Sequence, residues 1–367
     1  MNRPRPVFPL LLLGAIPALS ASASGQPARF ANARIERGSA AAGLEKAFRD
    51  LTAAHAGPAW VGWSVETVGI HHICCYGSTE DLDASPCSGR CFLENDGRNV
   101  TVVHSDGGDC VDRAESSQMV VLLRIEASAV ERLRTFSTDC TLDAGGLPVF
   151  WLADVRPAES VAFLQTFVGN PSLERKKPWK NGEPALGAIA LHEDPAADEA
   201  LERYAAPPSP EPLRKQAVFW LGNARGRRGY DALRALVRKE ESEDLRRHLT
   251  FALSQCKVPE ALDTLLEMAK RDASPGVRGQ ALFWLAQKAG KKVAGAIQDA
   301  IRDDPETDVK RKAVFALTQM PHDEGIPLLI EVARTNRNPQ VRKQAVFWLG
   351  QSKDPRALAF IEAILTK

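Results

Sequence analysis

The chain has 367 residues, 44% hydrophobic and 25% charged, with 47 basic against 46 acidic side chains and a net charge of +1 at pH 7. That length has room for two ordinary domains, and the composition is that of a folded soluble protein. Near-neutrality excludes a global electrostatic attraction to nucleic acid or to an anionic membrane.

Residues 1–23 read as a secretory signal. Arg3 and Arg5 precede an apolar stretch from Val7 to Ala18, and Ala21-Ser22-Ala23 offers the small-x-small pattern cut by signal peptidase. The run is short and interrupted by Pro9 and Pro17, so no stable membrane insertion is expected after cleavage. The mature chain is expected to be exported, in a periplasm or outside the cell.

Residues 28–170 do not repeat and suggest a small α+β domain. Ala40 to Ala54 forms an amphipathic helical pattern with Leu44, Ala47, Phe48 and Leu51 on one face. Ala59 to Val68 is β-prone. Arg90 to Glu94 and Asn99 to His104 are expected as two strands around Asn95-Asp96-Gly97. Met119 to Ile125 and Val130 to Phe136 form a further hairpin pattern, turning near Ala127-Ser128. Leu147 to Leu152 is another strand, and Pro157 opens a helix to Phe167.

This region holds the one constellation that could carry chemistry. Six of the seven cysteines fall here, at Cys74, Cys75, Cys87, Cys91, Cys110 and Cys140. In an exported domain an even number suggests up to three disulfides, with 15 possible pairings. His71, His72, Cys74, Cys75, Cys87 and Cys91 together also suit zinc, although the spacing is not that of a standard zinc finger. Structural disulfides are the expected use. Cys256 stands apart, as a free thiol packed like a small hydrophobe. No nucleophile elbow, HExxH, phosphate-binding Gly loop or haem attachment motif is present.

A basic, Pro-containing linker over 171–184 carries Arg175, Lys176, Lys177 and Lys180. It overlaps the start of a repeat array at 176–367. Phe219, Phe251, Phe283, Phe315 and Phe347 stand 32 residues apart in near-copies of one phrase, QAVFWLG. Leu201, Leu233, Leu265, Ile297, Leu329 and Ile361 keep the same step, which makes six units. The first unit, starting near Trp179, has Gly187 in place of its phenylalanine. Such a period means one supersecondary unit stacked in tandem. In the last unit a first helix is expected over Gln340–Gln351, with Val341, Ala345, Trp348 and Leu349 as its stripe. A second is expected over Pro355–Leu365.

Val341-Arg342 with Ala345 and Leu349-Gly350, then Asp354-Pro355-Arg356-Ala357, resembles HEAT repeats, most closely the short bacterial type named for phycobilisome lyases. The resemblance implies an α-solenoid that binds proteins, with no cofactor. Deoxyhypusine hydroxylase shares this resemblance but holds two irons with several His-Glu pairs. Only His192-Glu193 and His322-Asp323 are comparable here, about four repeats apart.

Two further columns keep the register. Trp220, Trp284 and Trp348 stand 64 apart, with Ala252 and Ala316 between them. The tryptophans either form a peptide-binding ladder or alternate with alanine so that units interdigitate. Arg214, Arg246, Arg278, Lys310 and Arg342 either line an acidic-ligand groove or bond turn carbonyls and acids such as Asp244 and Asp308. The expected function is a non-enzymatic scaffold for an unidentified protein or peptide, not nucleic acid. The alternative is a zinc enzyme or sensor at the His/Cys cluster.

Overall fold

A computed structural model describes residues 28–69, 72–76, 90–94, 100–104, 117–169, 182–289 and 291–366. The expected signal segment, most of the linker, and the turn at 95–97 lie outside these residues, as do His71, Cys87 and Cys110.

The N-terminal region is built from strands β1 (Arg29–Ala31), β2 (Arg34–Ser39), β3 (Ala59–Glu66), β4 (His72–Tyr76), β5 (Arg90–Phe92), β6 (Val100–His104), β7 (Gln118–Glu126), β8 (Ala129–Ser137), β9 (Thr141–Asp143) and β10 (Pro148–Ala153). Helix α1 (Leu44–Ala54) follows β2, and α2 (Pro157–Gln165) follows β10. Five strands form the main sheet in the order β2-β10-β3-β7-β8. Strand β10 runs parallel to both β2 and β3, while β3, β7 and β8 are antiparallel.

The inner strands β3 and β7 are buried on both faces, so they read as nearly continuous apolar runs rather than as alternation. Val61, Trp63, Val121 and Leu123 point into the larger core with the helices. Trp60, Val120, Leu122 and Trp151 point into a second core, under the small β1-β9-β5 sheet. A Cβ at Gly62 would lie 2.5 Å from Leu122 Cδ2 and 3.4 Å from Trp151 Cζ3, so glycine lets that second core close.

The β7–β8 hairpin turns at Ala127 and Ser128, both at positive φ (48° and 61°), as a two-residue turn matched to strand twist requires. Helix α1 begins at Leu44 rather than Ala40, because Gly43 at φ 110° breaks the run. The expected hairpin between 90–94 and 99–104 is corrected. Strand β5 pairs with β9 in parallel, and β6 pairs antiparallel with β4. Short strands find partners through long-range packing that a local turn signal does not encode.

The C-terminal region consists of six described helix pairs. They are α3 (Gly182–Leu191) with α4 (Pro195–Ala205), α5 (Glu211–Ala224) with α6 (Gly226–Val237), and α7 (Glu243–Gln255) with α8 (Glu260–Arg271). After them come α9 (Pro275–Ala289) with α10 (Lys291–Asp303), α11 (Thr307–Leu317) with α12 (His322–Thr335), and α13 (Pro339–Gln351) with α14 (Pro355–Leu365). Caps follow the expected chemistry. Asp194, Asn338 and Asp354 each accept from the backbone N–H two residues on, with proline in the first helical turn.

Leu201, Leu233, Leu265, Ile297 and Leu329 are at most 1% exposed, and Ile361 is half-buried. First helices of successive units pack directly on one another, α5 on α7, α7 on α9, α9 on α11 and α11 on α13. Second helices instead wedge against the first helix of the next unit. Helices stacked closely in one layer and spread in the other bend the array toward the close layer. The first helices therefore line its inner face.

The two regions share one core, continuous from Ala40 in the sheet region to Phe360 in α14. Helix α3 is the joint. All its residues from Ala185 to Leu191 are buried, as an all-apolar helix must be. Backbone bonds sew the regions together: Val68 N–H donates to Leu191 O (2.9 Å) and Glu193 N–H to Glu66 O (3.0 Å). The α+β region thus caps the open end of the array.

Candidate interaction surface

The phenylalanine column lies on the inner face, at the edge of the core. Phe219, Phe251, Phe283 and Phe315 are half-buried, and Phe347 is 52% exposed. With the tryptophans they make an unbroken ribbon across five first helices. Phe219 stacks on Phe251 (5.9 Å), Phe251 meets Trp284 (4.9 Å), and Trp284 meets Phe283 (4.9 Å). Phe283 stacks on Phe315 (5.9 Å), Phe315 meets Trp348 (5.0 Å), and Trp348 meets Phe347 (5.0 Å).

The 64-residue alternation follows from this geometry. Each tryptophan lies against the phenylalanine of the preceding unit, and each alanine leaves room for two phenylalanines to stack directly. Gly187 obeys the same rule. A Cβ there would lie 3.0 Å from Trp220 Cζ2, so the first unit lacks a phenylalanine because the Trp220 ring fills that space.

Two polar groups in the ribbon are unanswered. The indole N–H groups of Trp284 and Trp348 are buried and have no hydrogen-bond partner. Near Trp284, His248 Nε2 also lacks one. Burial, with Lys215 nearby, holds the His248 pKa below the usual histidine value. A groove of about 410 Å³ opens here between α5, α7 and α9, lined by Lys215, Asp244, Arg247, His248, Phe251, Gln280 and Trp284. Asn223, Gln255, Gln287, Gln319 and Gln351 flank the ribbon at the same 32-residue step.

The arginine ladder is answered from within the array. Arg246 donates to the carbonyls of Glu240 and Glu241, Arg278 to those of Asp272 and Ala273, and Arg342 to those of Asn336 and Arg337. Its acidic partners are Glu240 for Arg214, Asp272 for Arg246 (2.9 Å) and Asp304 for Arg278 (2.8 Å). The expected partners are corrected: Asp244 pairs with Lys215, and Asp308 with Arg311 (3.4 Å). An arginine in the first turn of a first helix faces the loop just before it, and the carboxylate 26 residues on belongs to the next such loop.

Cys74 and Cys140 form a disulfide, and both are buried. Cys91 Sγ lies 3.4 Å from Cys140 Sγ, and the three sulfurs lie within 4.8 Å of one another. Cys91 is also disulfide-bonded. The sequence grouping included Cys74 and Cys91 but not Cys140. Zinc takes thiolates, and a disulfide sulfur is not one, so these three cannot hold zinc in this state. The side chains of His72 and Cys75 fall outside the described set. Cys256 is a free, half-buried thiol bonded to Ala252 O (3.6 Å), its pKa pushed up to about 12 by burial.

The histidines do not form a metal pair. His192 is fully buried in the joint between the regions, and His322 opens α12 near the far end of the array. Trp63 Nε1–H donates to Ser160 Oγ (2.8 Å), and Ser160 Oγ–H donates to His192 Nε2 (2.8 Å). Nδ1–H of His192 then donates to Ala188 O (2.7 Å), since a carbonyl only accepts. This serine–histidine contact has the spacing of a catalytic dyad, but both groups are completely buried. Next to it, Arg225 donates to Asp198 (2.6 Å) and to the carbonyls of Ala190 and His192. Neither Ser160 nor Arg225 stood out in the sequence, because both acquire their roles from residues 27 or more positions away.

The helical array is a HEAT-repeat α-solenoid: residues 197–286 and 295–367 match the HEAT repeat family. No curated protein matches the chain in sequence. Among solved structures, human deoxyhypusine hydroxylase in complex with glycerol is 19% identical, covering 56% of this chain and 90% of that one (TM-score 0.30). Escherichia coli YibA is 18% identical over 56% of this chain and 80% of that one (TM-score 0.36). The CpcE–CpcF complex of phycocyanin lyase from Nostoc sp. PCC7120 is 19% identical over 54% and 77% (TM-score 0.28). At these identities and scores none of them bears on the chemistry of this chain.

Proposed function

We propose that this protein is an exported, non-enzymatic scaffold that holds an extended segment of a partner protein against the inner face of its repeats. The observation that carries the reading is the aromatic ribbon with the two unanswered indole donors of Trp284 and Trp348. A buried donor left without an acceptor costs about 1–3 kcal/mol. A peptide carbonyl brought to the ring edge, in the plane of the N–H, would remove that cost, and the Asn223–Gln351 column, exposed or half-buried, suits a peptide backbone. HEAT repeats favour protein binding in general. Export rests on the pattern of residues 1–23. Among the described residues no helix is long and apolar enough to cross a membrane.

Charge gives the surface a direction. Lys215 and Arg247 are answered by Glu211, Glu243 and Asp244. Further along, Arg311, Lys312 and Lys343 are exposed, with Asp308 beside Arg311 and Glu306 at the start of α11. The C-terminal end therefore suits a segment that carries acidic residues.

The test is selection of random 15-residue peptides on the intact protein. Enriched peptides should lose about five- to tenfold in affinity to a Trp284→Phe/Trp348→Phe variant, which keeps the rings and removes both donors. Lys343→Glu should weaken the acidic binders. Failure to enrich any peptide, or binders indifferent to both variants, would sink the reading.

A further inference from the structure

We infer that the groove between α5, α7 and α9 is a pocket for a neutral carboxamide, the side chain of an asparagine or glutamine in the bound segment. This rests on the peptide-binding reading and names what one part of that surface selects. Two of the residues that line the groove carry a polar atom without a partner, His248 at Nε2 and Trp284 at Nε1–H. Both rings lie against Phe251, with centroids 5.8 Å away for His248 and 4.9 Å away for Trp284. His248 and Phe251 belong to α7, and Trp284 belongs to α9. The stacking of adjacent units therefore holds both polar residues on the walls of one cavity of about 410 Å³.

The two atoms ask for opposite things. An indole N–H only donates. The other imidazole nitrogen of His248 bonds the Lys215 carbonyl, which only accepts, so that nitrogen carries the proton and Nε2 is left as an acceptor. Burial, with the Lys215 charge, holds the imidazole below its usual pKa and keeps Nε2 unprotonated at neutral pH. The occupant must therefore give one hydrogen bond and take another. A carboxylate has nothing to give Nε2, an ammonium has nothing to take from the indole, and an apolar side chain leaves both unanswered. A peptide carbonyl answers the indole alone. A hydroxyl would have to serve both from one oxygen. A carboxamide bears its donor and its acceptor on separate atoms, which suits partners carried by two helices with the Phe251 ring against both. The charges of the groove are already answered: Lys215 pairs with Glu211 and Asp244, and Arg247 with Glu243 and Asp244. They leave a neutral group at the aromatic wall.

The experiment takes the peptides enriched by random selection on the intact protein and changes them at the position they share. The expected result is a glutamine or asparagine there. Its replacement by the acid of the same shape should weaken binding about tenfold, despite the nearby Lys215 and Arg247, and replacement by methionine or leucine should do the same. On a His248→Phe variant, which keeps a ring, those losses should shrink to about twofold. If that variant does not fold, the series on the unaltered protein still decides. A shared hydroxyl or charged residue, no shared residue, or an acid that binds as well as the amide would overturn the inference and leave the peptide-binding reading standing. Should no peptide enrich, propionamide is titrated onto protein carrying isotope-labelled tryptophan, with propionate as the control. A shift of the Trp284 indole N–H resonance (assigned with Trp284→Phe) by the amide alone would then keep the pocket and sink the peptide reading. No shift would sink both.

Discussion

At the joint between the two regions, the His192 imidazole uses both of its nitrogens and is sealed from water. Burial dominates its titration and lowers the pKa to about 4; Asp194 pulls the other way, and Arg225 adds to the lowering. An unfolded chain binds the same proton at about pH 6.5. As pH falls, the unfolded state therefore takes up the proton first. Stability from this site is complete above about pH 6.5 and is lost progressively toward about pH 4, by about 3 kcal/mol in all. Urea denaturation at about pH 7 and pH 4.5 should show the loss, and His192→Gln should remove most of that pH dependence. Equal slopes in the two proteins would count against it. The neighbouring Arg225–Asp198 pair is buried on both sides (side chains 4% and 9% exposed), unlike the exposed Arg227–Asp231 pair (58% and 54%). Removing Asp198 leaves the buried Arg225 charge with carbonyls alone, whereas removing Arg225 leaves Asp198 still paired with Arg228 (2.9 Å).

Among the helices, the Trp/Ala alternation is a matter of parity. In the third and fifth units alanine lets first helices close up: a Cβ on Gly222 of α5 would collide with the backbone of Ala252 on α7. In the second, fourth and sixth units tryptophan fills the space against the preceding unit. Trp284→Ala should destabilise by about 2 kcal/mol, less than a fully buried aromatic because the ring is half-exposed. Ala252→Trp should cost about 1–3 kcal/mol through overpacking. The double variant should not recover stability, since each ring needs a phenylalanine or glycine at one specific neighbour. Thermal melts of the three proteins test this, and rescue in the double variant would show that parity does not matter.

For the whole molecule, the shared core makes the α+β region a structural cap. Repeat arrays need their terminal faces covered, because each unit buries its apolar surface only against its neighbours. Here the sheet, α1 and α2 cover α3. A chain that begins at Gly182 should therefore expose α3 and aggregate or lose cooperative unfolding, measured by size-exclusion chromatography and thermal melting. A soluble monomer that melts like the full chain would show that the two regions are independent. For the same reason, binding assays on the repeats alone would confuse misfolding with loss of a site.

The period of 32, the six units, the helix limits at 339–351 and 355–365 and the leucine column were all legible in the residues, because local periodicity and capping write them directly. So was the β7–β8 turn, which depends only on its own two residues. The pairing of β5 and β6 was not legible, nor the third sulfur at Cys140, nor the Ser160–His192 contact. Each depends on segments far apart in the chain meeting through packing. Sequence alone also could not place the phenylalanines at the edge of the core. A helix apolar on several sides looks the same whether its last side faces another helix or a groove, and only the stacking of neighbouring units decides which.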